Sequence, residues 1–251
     1  MENKVNKSLE VKDLSFTYVE KGEKDFVALK NIYFKIEQGD VVALLGPSGA
    51  GKTTLLRCLA GFLNHEGHVI LNNEDISNIQ TRDRDIAYIF QKPFLYPHLT
   101  IYANVCQALK YFGLTRDEVD HYAKDYIKRY KMTKFINFKP RHLSVGEQQK
   151  ICLIRGLIRE PSLLLLDEPF ANIDASFKEE ICNLIFKDIK DQGVPTIYVT
   201  HDLHEATRRA NKIMLIENGE IVEYISVEEF IKNPKSSLGQ EYHKLLEVID
   251  S

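Results

Sequence analysis

Gly46-Pro47-Ser48-Gly49-Ala50-Gly51-Lys52-Thr53 follows directly on the apolar run Val41 to Leu45 and leads straight into the helix-like stretch Thr54 to Ala60. Strand, glycine-rich loop and helix in that order form a Walker A motif. The glycines let the backbone curl so that successive N–H groups point inward at phosphates. The helix N-terminus adds a partial positive charge and Lys52 a full one. Thr53 is positioned to put its hydroxyl on Mg²⁺. A glycine turn before an ordinary helix is the competing reading, and the complete G-x-x-x-x-G-K-T spacing between its proper flanks argues against it. The stretch Gly46 to Thr54 therefore points to a nucleoside triphosphate as ligand.

Upstream of this loop, apolar residues alternate with polar ones: Leu9 and Val11, then Leu14, Phe16 and Tyr18, then Ile32, Phe34 and Ile36. A period of two predicts antiparallel strands, with Glu20 to Asp25 as a charged loop and Gln38-Gly39-Asp40 as a turn. Downstream, short apolar runs are separated by helix-like stretches. The runs are Val41 to Leu45, Ile86 to Phe90, Leu163 to Leu166, Thr196 to Thr200 and Ile213 to Ile216, and they suit a mostly parallel sheet covered by helices. Between Pro93 and about Pro140 the strand signal gives way to charged, helix-like sequence. The expected fold is α/β: a P-loop NTPase core with a mostly parallel sheet, an N-terminal antiparallel β subdomain and an inserted helical subdomain. The chain divides accordingly into 1–40 (antiparallel β), 41–92 with 155–235 (RecA-like core), 93–154 (helical) and 236–251 (C-terminal tail).

Composition is compatible with this plan. The chain has 251 residues, 44% hydrophobic and 27% charged, which is enough for one sizeable core carrying an inserted lobe. A formal net charge of −3 provides no global basic field, so no nucleic-acid partner is expected. The basic cluster Lys124 to Lys134 reads as a solvated helix face. Cys58, Cys106, Cys152 and Cys182 are widely spaced with no C-x-x-C pair, the pattern of reduced, buried thiols rather than a metal site. The polar start, Met1 to Leu9, does not read as a signal peptide. No apolar run approaches the ~18 residues needed to span a bilayer. Membrane association is expected only through a partner.

Two further motifs carry chemistry. Leu163-Leu164-Leu165-Leu166-Asp167-Glu168 is a buried strand that ends abruptly in two acids. Asp167 can reach the metal held by Thr53, as a Walker B acid does, while Glu168 emerges at the carboxyl end of the sheet, where it can polarise an attacking water. A strand ending in a solvated turn before Pro169 is the alternative for this run taken alone. The other motif is Leu143-Ser144-Val145-Gly146-Glu147-Gln148-Gln149, ahead of the apolar helix Ile151 to Ile158. Ser144 and Glu147 have capping-box spacing, and a helix start with a hydroxyl and a glycine is also an anion site.

With these motifs in place the chain resembles the ATP-binding cassette family over about residues 9 to 236. Leu143 to Glu147 stands where the family has Leu-Ser-Gly-Gly-Gln, so the resemblance implies that Ser144, Val145, Gly146 and Glu147 contact the γ-phosphate of ATP bound by an opposite subunit. It implies a head-to-tail dimer, homodimer or heterodimer, with two ATP molecules between the subunits. Tyr18 is similar to the aromatic that stacks on adenine. Gln91 resembles the glutamine that senses Mg²⁺ and the attacking water. Asp174, in Ala171-Asn172-Ile173-Asp174, matches the acid of the loop that crosses the dimer interface. His201 resembles the switch histidine on the γ-phosphate. The implied catalytic set is thus Glu168, His201, Lys52 and Gln91, and the implied metal set is Thr53, Gln91 and Asp167, with ATP and Mg²⁺ as cofactors.

Arg84 to Gln91, followed by Leu95-Tyr96-Pro97-His98-Leu99-Thr100, is similar to bacterial importer ATPases of the maltose, polyamine, ferric-iron and thiamine type. The resemblance implies an ATPase subunit at the cytoplasmic face of a membrane, driving solute import through transmembrane permease subunits. It also implies that Phe94 to His98 help form the groove for a permease helix and that cargo selectivity lies in other subunits. An exporter ATPase, or a non-transport cassette acting as a cytosolic assembly factor, is the alternative. Three positions depart from the pattern: Val145 replaces a glycine, Glu147 a neutral glutamine and Ala171 a common serine. Glu147 adds negative charge where an anion is to bind, which predicts weaker closure of the composite site unless a cation such as Lys150 compensates.

Overall fold

The computed structural model describes residues 7–19, 25–171, 173 and 175–249. Its strands fall into two sheets. The first is antiparallel, ordered β2-β1-β4-β5, from β1 (Leu9–Tyr18), β2 (Phe26–Ile36), β4 (Glu66–Leu71) and β5 (Glu74–Asp75). The second is ordered β10-β9-β3-β8-β7-β6, from β3 (Val41–Leu45), β6 (Ile86–Ile89), β7 (Leu163–Asp167), β8 (Thr196–Val199), β9 (Lys212–Glu217) and β10 (Glu220–Ser226). Its neighbours run parallel from β9 to β6, and β10 closes the edge antiparallel. This is the expected α/β class.

The parallel strands read as unbroken apolar runs because both faces of their sheet are covered. Val41, Ala43, Leu45, Leu164, Leu166 and Tyr198 face one core, and Val42, Leu44, Leu163, Leu165, Ile197 and Val199 face the other. On the first face lie α2 (Ile101–Ala108), α3 (Arg116–Arg129), α4 (Val145–Leu157) and α5 (Ala175–Gln192), represented by Ile101, Ile127, Ile154 and Ile185. On the second lies α1 (Lys52–Ala60), whose Leu55, Leu56 and Leu59 pack between the parallel sheet and the antiparallel one. Each fully buried aliphatic side chain contributes about 1.5–3 kcal/mol. The chain then adds α6 (Leu203–Arg209), α7 (Val227–Lys232) and α8 (Ser237–Ile249).

The structure redraws two of the boundaries expected from sequence. Residues 66–75, assigned to the 41–92 core segment, belong to the antiparallel sheet, where Val69 pairs with Val11 and Leu71 with Leu9. The division at 154/155 falls inside α4, because the helix that starts the signature-like motif runs on into the core to Leu157. Two tight turns also passed unread. Asn72-Asn73 joins β4 to β5 and Asn218-Gly219 joins β9 to β10, all four residues having positive φ, as two-residue hairpins require.

Strand order matters most for the site. β3, β8, β7 and β6 are consecutive neighbours running the same way. Their carboxyl ends therefore bring the glycine-rich loop, His201, Asp167-Glu168 and Gln91 to one edge, the usual ligand edge of an open α/β sheet.

Candidate active site

The loop from Gly46 to Gly51 leaves β3 and enters α1 at Lys52. Gly46 is obligatory here, since a Cβ would stand 2.2 Å from the carbonyl oxygen of Ile216 on neighbouring β9. Gly51 caps α1 at φ 106°, a region open to glycine. Lys52 is buried, and its Nζ donates to the carbonyls of Gly46 at 2.7 Å and Pro47 at 2.8 Å. Burial lowers its pKa, while the nearby Glu168 and Asp167 carboxylates oppose that shift. Pro47, Ser48 and Gly49 are exposed and Ala50 is buried, so the loop rim faces solvent over an anchored floor. Thr54 accepts or donates a hydrogen bond with the Tyr18 hydroxyl at 3.2 Å, which pins the end of β1 beside the start of α1. The Tyr18 ring meets Phe16 edge-on at 4.7 Å and is partly exposed.

Thr53 Oγ1 donates to Asp167 Oδ1 at 3.1 Å, so the loop and the end of β7 are directly joined. The other carboxylate oxygen of Asp167 accepts from the Tyr88 hydroxyl at 2.9 Å. Burial and the neighbouring Asp167 charge push the Tyr88 phenol well up, keeping it a donor. Glu168 has φ 48°, a left-handed conformation that costs a residue with a side chain about 1–2 kcal/mol. That turn aims its carboxylate between two groups: Gln91 Nε2 donates to Oε2 at 2.7 Å, and His201 Nε2 lies 2.5 Å from Oε1. Gln91, just past β6, and His201, just past β8, thus converge on the carboxylate that follows β7.

The signature-like motif stands apart. Ser144 is the N-cap of α4 and forms a reciprocal capping box with Glu147: Ser144 Oγ accepts from the Glu147 N–H, and the Glu147 carboxylate accepts from the Ser144 N–H at 2.9 Å and hydroxyl at 3.1 Å. Val145, an apolar residue, is 51% exposed. Glu147 lies close enough to Lys150 to oppose the lowering of that lysine's pKa by burial. Asp174 and Asn172 lie outside the described residues, so the acid expected at a dimer interface is not placed.

Two polar residues of this edge escaped the sequence reading. One is Tyr88, whose signal was a tyrosine three positions before Gln91. The other is Gln149, fully buried on α4, whose Nε2 donates to the carbonyl of Phe90 at 3.0 Å and so ties the motif helix to the residue before Gln91.

Residues 29–171 match the family described as ABC transporter. The chain belongs to that family. It is 38% identical over 218 residues to a probable sulfate/thiosulfate import ATP-binding protein, CysA, of Chlorella vulgaris, covering 84% of this chain and 90% of that protein. It is 37% identical over 217 residues to the molybdate/tungstate import ATP-binding protein WtpC of Pyrococcus abyssi, covering 86% of this chain and 63% of that one. With the spermidine/putrescine import ATP-binding protein PotA of Thermotoga maritima it shares 36% identity over 224 residues, covering 88% and 61%. The chain therefore spans less than two thirds of the length of the latter two relatives. A dimeric ATP-binding cassette solved in a post-hydrolysis state with ADP and Pi superposes with a TM-score of 0.79 at 30% identity, over 87% of this chain and 98% of that one. The ATP-binding subunit of an ABC transporter gives 0.80 at 25% identity, over 95% and 99%. This ABC protein is an ATP-binding ATPase cassette, as the motifs led one to expect.

Proposed function

We propose that this ABC cassette binds ATP with Mg²⁺ in a head-to-tail dimer and uses its hydrolysis to drive solute import through membrane permease subunits. The observation that carries the reading is the convergence of Gln91 and His201 on Glu168, next to the Thr53–Asp167 pair. Glu168 orients the attacking water, Gln91 and His201 hold that carboxylate in line, and Lys52 leaves the carbonyls of Gly46 and Pro47 to bind the terminal phosphates. A hydroxyl and a carboxylate oxygen 3.1 Å apart are hard oxygen donors that suit Mg²⁺. Bound there with the phosphates, the ion would neutralise charge on the transferred group. Tyr18 stacks on the base. Ser144, Val145, Gly146 and Glu147 of one subunit cover the nucleotide of the other, with Asp174 at the same interface.

Import is supported by the three relatives above, each of them an import ATP-binding protein. No helix among the described residues is long and apolar enough to cross a membrane; the proposed action at the cytoplasmic face runs through a permease partner. The test is hydrolysis by the chain and by Glu168→Gln, with assembly followed by light scattering in ATP–Mg²⁺. The variant is expected to lose about 10²–10⁴-fold in rate and to accumulate as an ATP-dependent dimer. Wild-type turnover by the variant would overturn the role of Glu168.

A further inference from the structure

We propose that Tyr88 is a positioning residue for the metal-binding carboxylate of Asp167. The inference rests on the reading above that Asp167 and Thr53 hold Mg²⁺. It starts from register. β6 and β7 are parallel with Tyr88 opposite Leu165, and Asp167 lies two residues further along β7, on the same face as Leu165. A side chain as long as tyrosine bridges that offset, and its hydroxyl reaches Asp167 Oδ2 at 2.9 Å. Thr53 takes the opposite oxygen, Oδ1. Held at both oxygens, the carboxylate loses its freedom to rotate about Cβ–Cγ and keeps one lone-pair face toward the Thr53 side.

The ring of Tyr88 is itself fixed. Phe90 stands 4.5 Å from it and Phe62 5.3 Å, centroid to centroid, while the Arg57 guanidinium lies beside the hydroxyl. The rest of the ring helps wall a groove of about 750 Å³ that also takes in Phe94, Tyr96 and Arg155. Apolar packing therefore suffices to explain a ring at position 88 but not its hydroxyl. The hydroxyl is the polar atom that the aromatic cluster aims out of the groove and onto the metal-binding acid. Partners of this kind, one bond removed from an ion, govern how well its ligands are oriented.

The test separates metal from nucleotide. Affinity for a fluorescent, non-hydrolysable ATP analogue is measured in EDTA and across a Mg²⁺ titration, for the wild type, Tyr88→Phe and Asp167→Asn. Tyr88→Phe keeps the ring and removes one oxygen. It is expected to bind the analogue like the wild type in EDTA, while the Mg²⁺ concentration that gives half of the metal-dependent gain rises about tenfold. Asp167→Asn should lose most of that gain, and adding Tyr88→Phe to it should change nothing further. If Tyr88→Phe titrates like the wild type while Asp167→Asn loses the gain, Tyr88 has no positioning role. Equal weakening in EDTA and in Mg²⁺ would make the hydroxyl merely structural and overturn the proposal as well. If Asp167→Asn keeps the full gain, the metal reading of Asp167 itself fails, and this inference goes with it.

Discussion

The phosphate-loop edge and the N-terminus of α4 are both expected from sequence to meet anions, yet they are built in opposite ways. At the edge, side chains from the start of α1 and the ends of β6, β7 and β8 (Lys52, Thr53, Gln91, Asp167, Glu168 and His201) hydrogen-bond to one another or to the loop carbonyls. At α4, Ser144 and Glu147 bond to each other, and the apolar residue beside them, Val145, is half exposed. One half is assembled within the chain. The other is a finished helix cap whose hydroxyl already serves its own carboxylate, so engaging a phosphate there means displacing a bond and approaching a negative charge.

Breaking the assembled half should have the larger consequences. Lys52→Ala removes the full positive charge of the loop and is expected to weaken ATP binding by about 100-fold, measured by nucleotide titration. Retained affinity would mean that the backbone N–H groups alone hold the phosphates. Gly46→Ala forces a methyl to within 2.2 Å of the Ile216 carbonyl, which requires β3 and β9 to part. Denaturant unfolding should register a loss of roughly 1–3 kcal/mol, and an unchanged midpoint would show that the strand edge yields freely.

Changes at α4 sharpen the contrast because their effects are smaller and differ in sign. Glu147→Gln keeps a residue able to complete the capping box and removes the charge. Light scattering of the Glu168→Gln background should then show ATP-dependent dimerisation favoured about threefold at low salt, the advantage fading as ionic strength rises. No gain at low salt would mean that the Glu147 charge does not reach the partner's nucleotide. Ser144→Ala should destabilise the chain by about 1 kcal/mol through loss of the N-cap, readable as faster amide exchange confined to the first turn of α4.

How much of this was legible beforehand depended on distance along the chain. The loop Gly46 to Thr53 and the capping box of Ser144 and Glu147 span only a few residues, so their chemistry could be read from spacing. Residues 66–75 were misassigned because Val69 and Leu71 declare themselves strand residues only by pairing with β1. The turn signal of Asn218-Gly219 was present and local, yet went unread between two apolar runs.

By itself the sequence determined the class of ligand, the positions of the apolar strands and the two acids at the end of β7, because each follows from residue type and short-range periodicity. Only the tertiary structure decided that β3, β8, β7 and β6 lie side by side in that order. That order puts His201 and Gln91 on one carboxylate and the Tyr88 hydroxyl on Asp167, 79 residues away in the chain. The physical reason is that a strand's side-chain pattern specifies which faces are buried, whereas its neighbours are chosen by the packing of the helices that cross between strands.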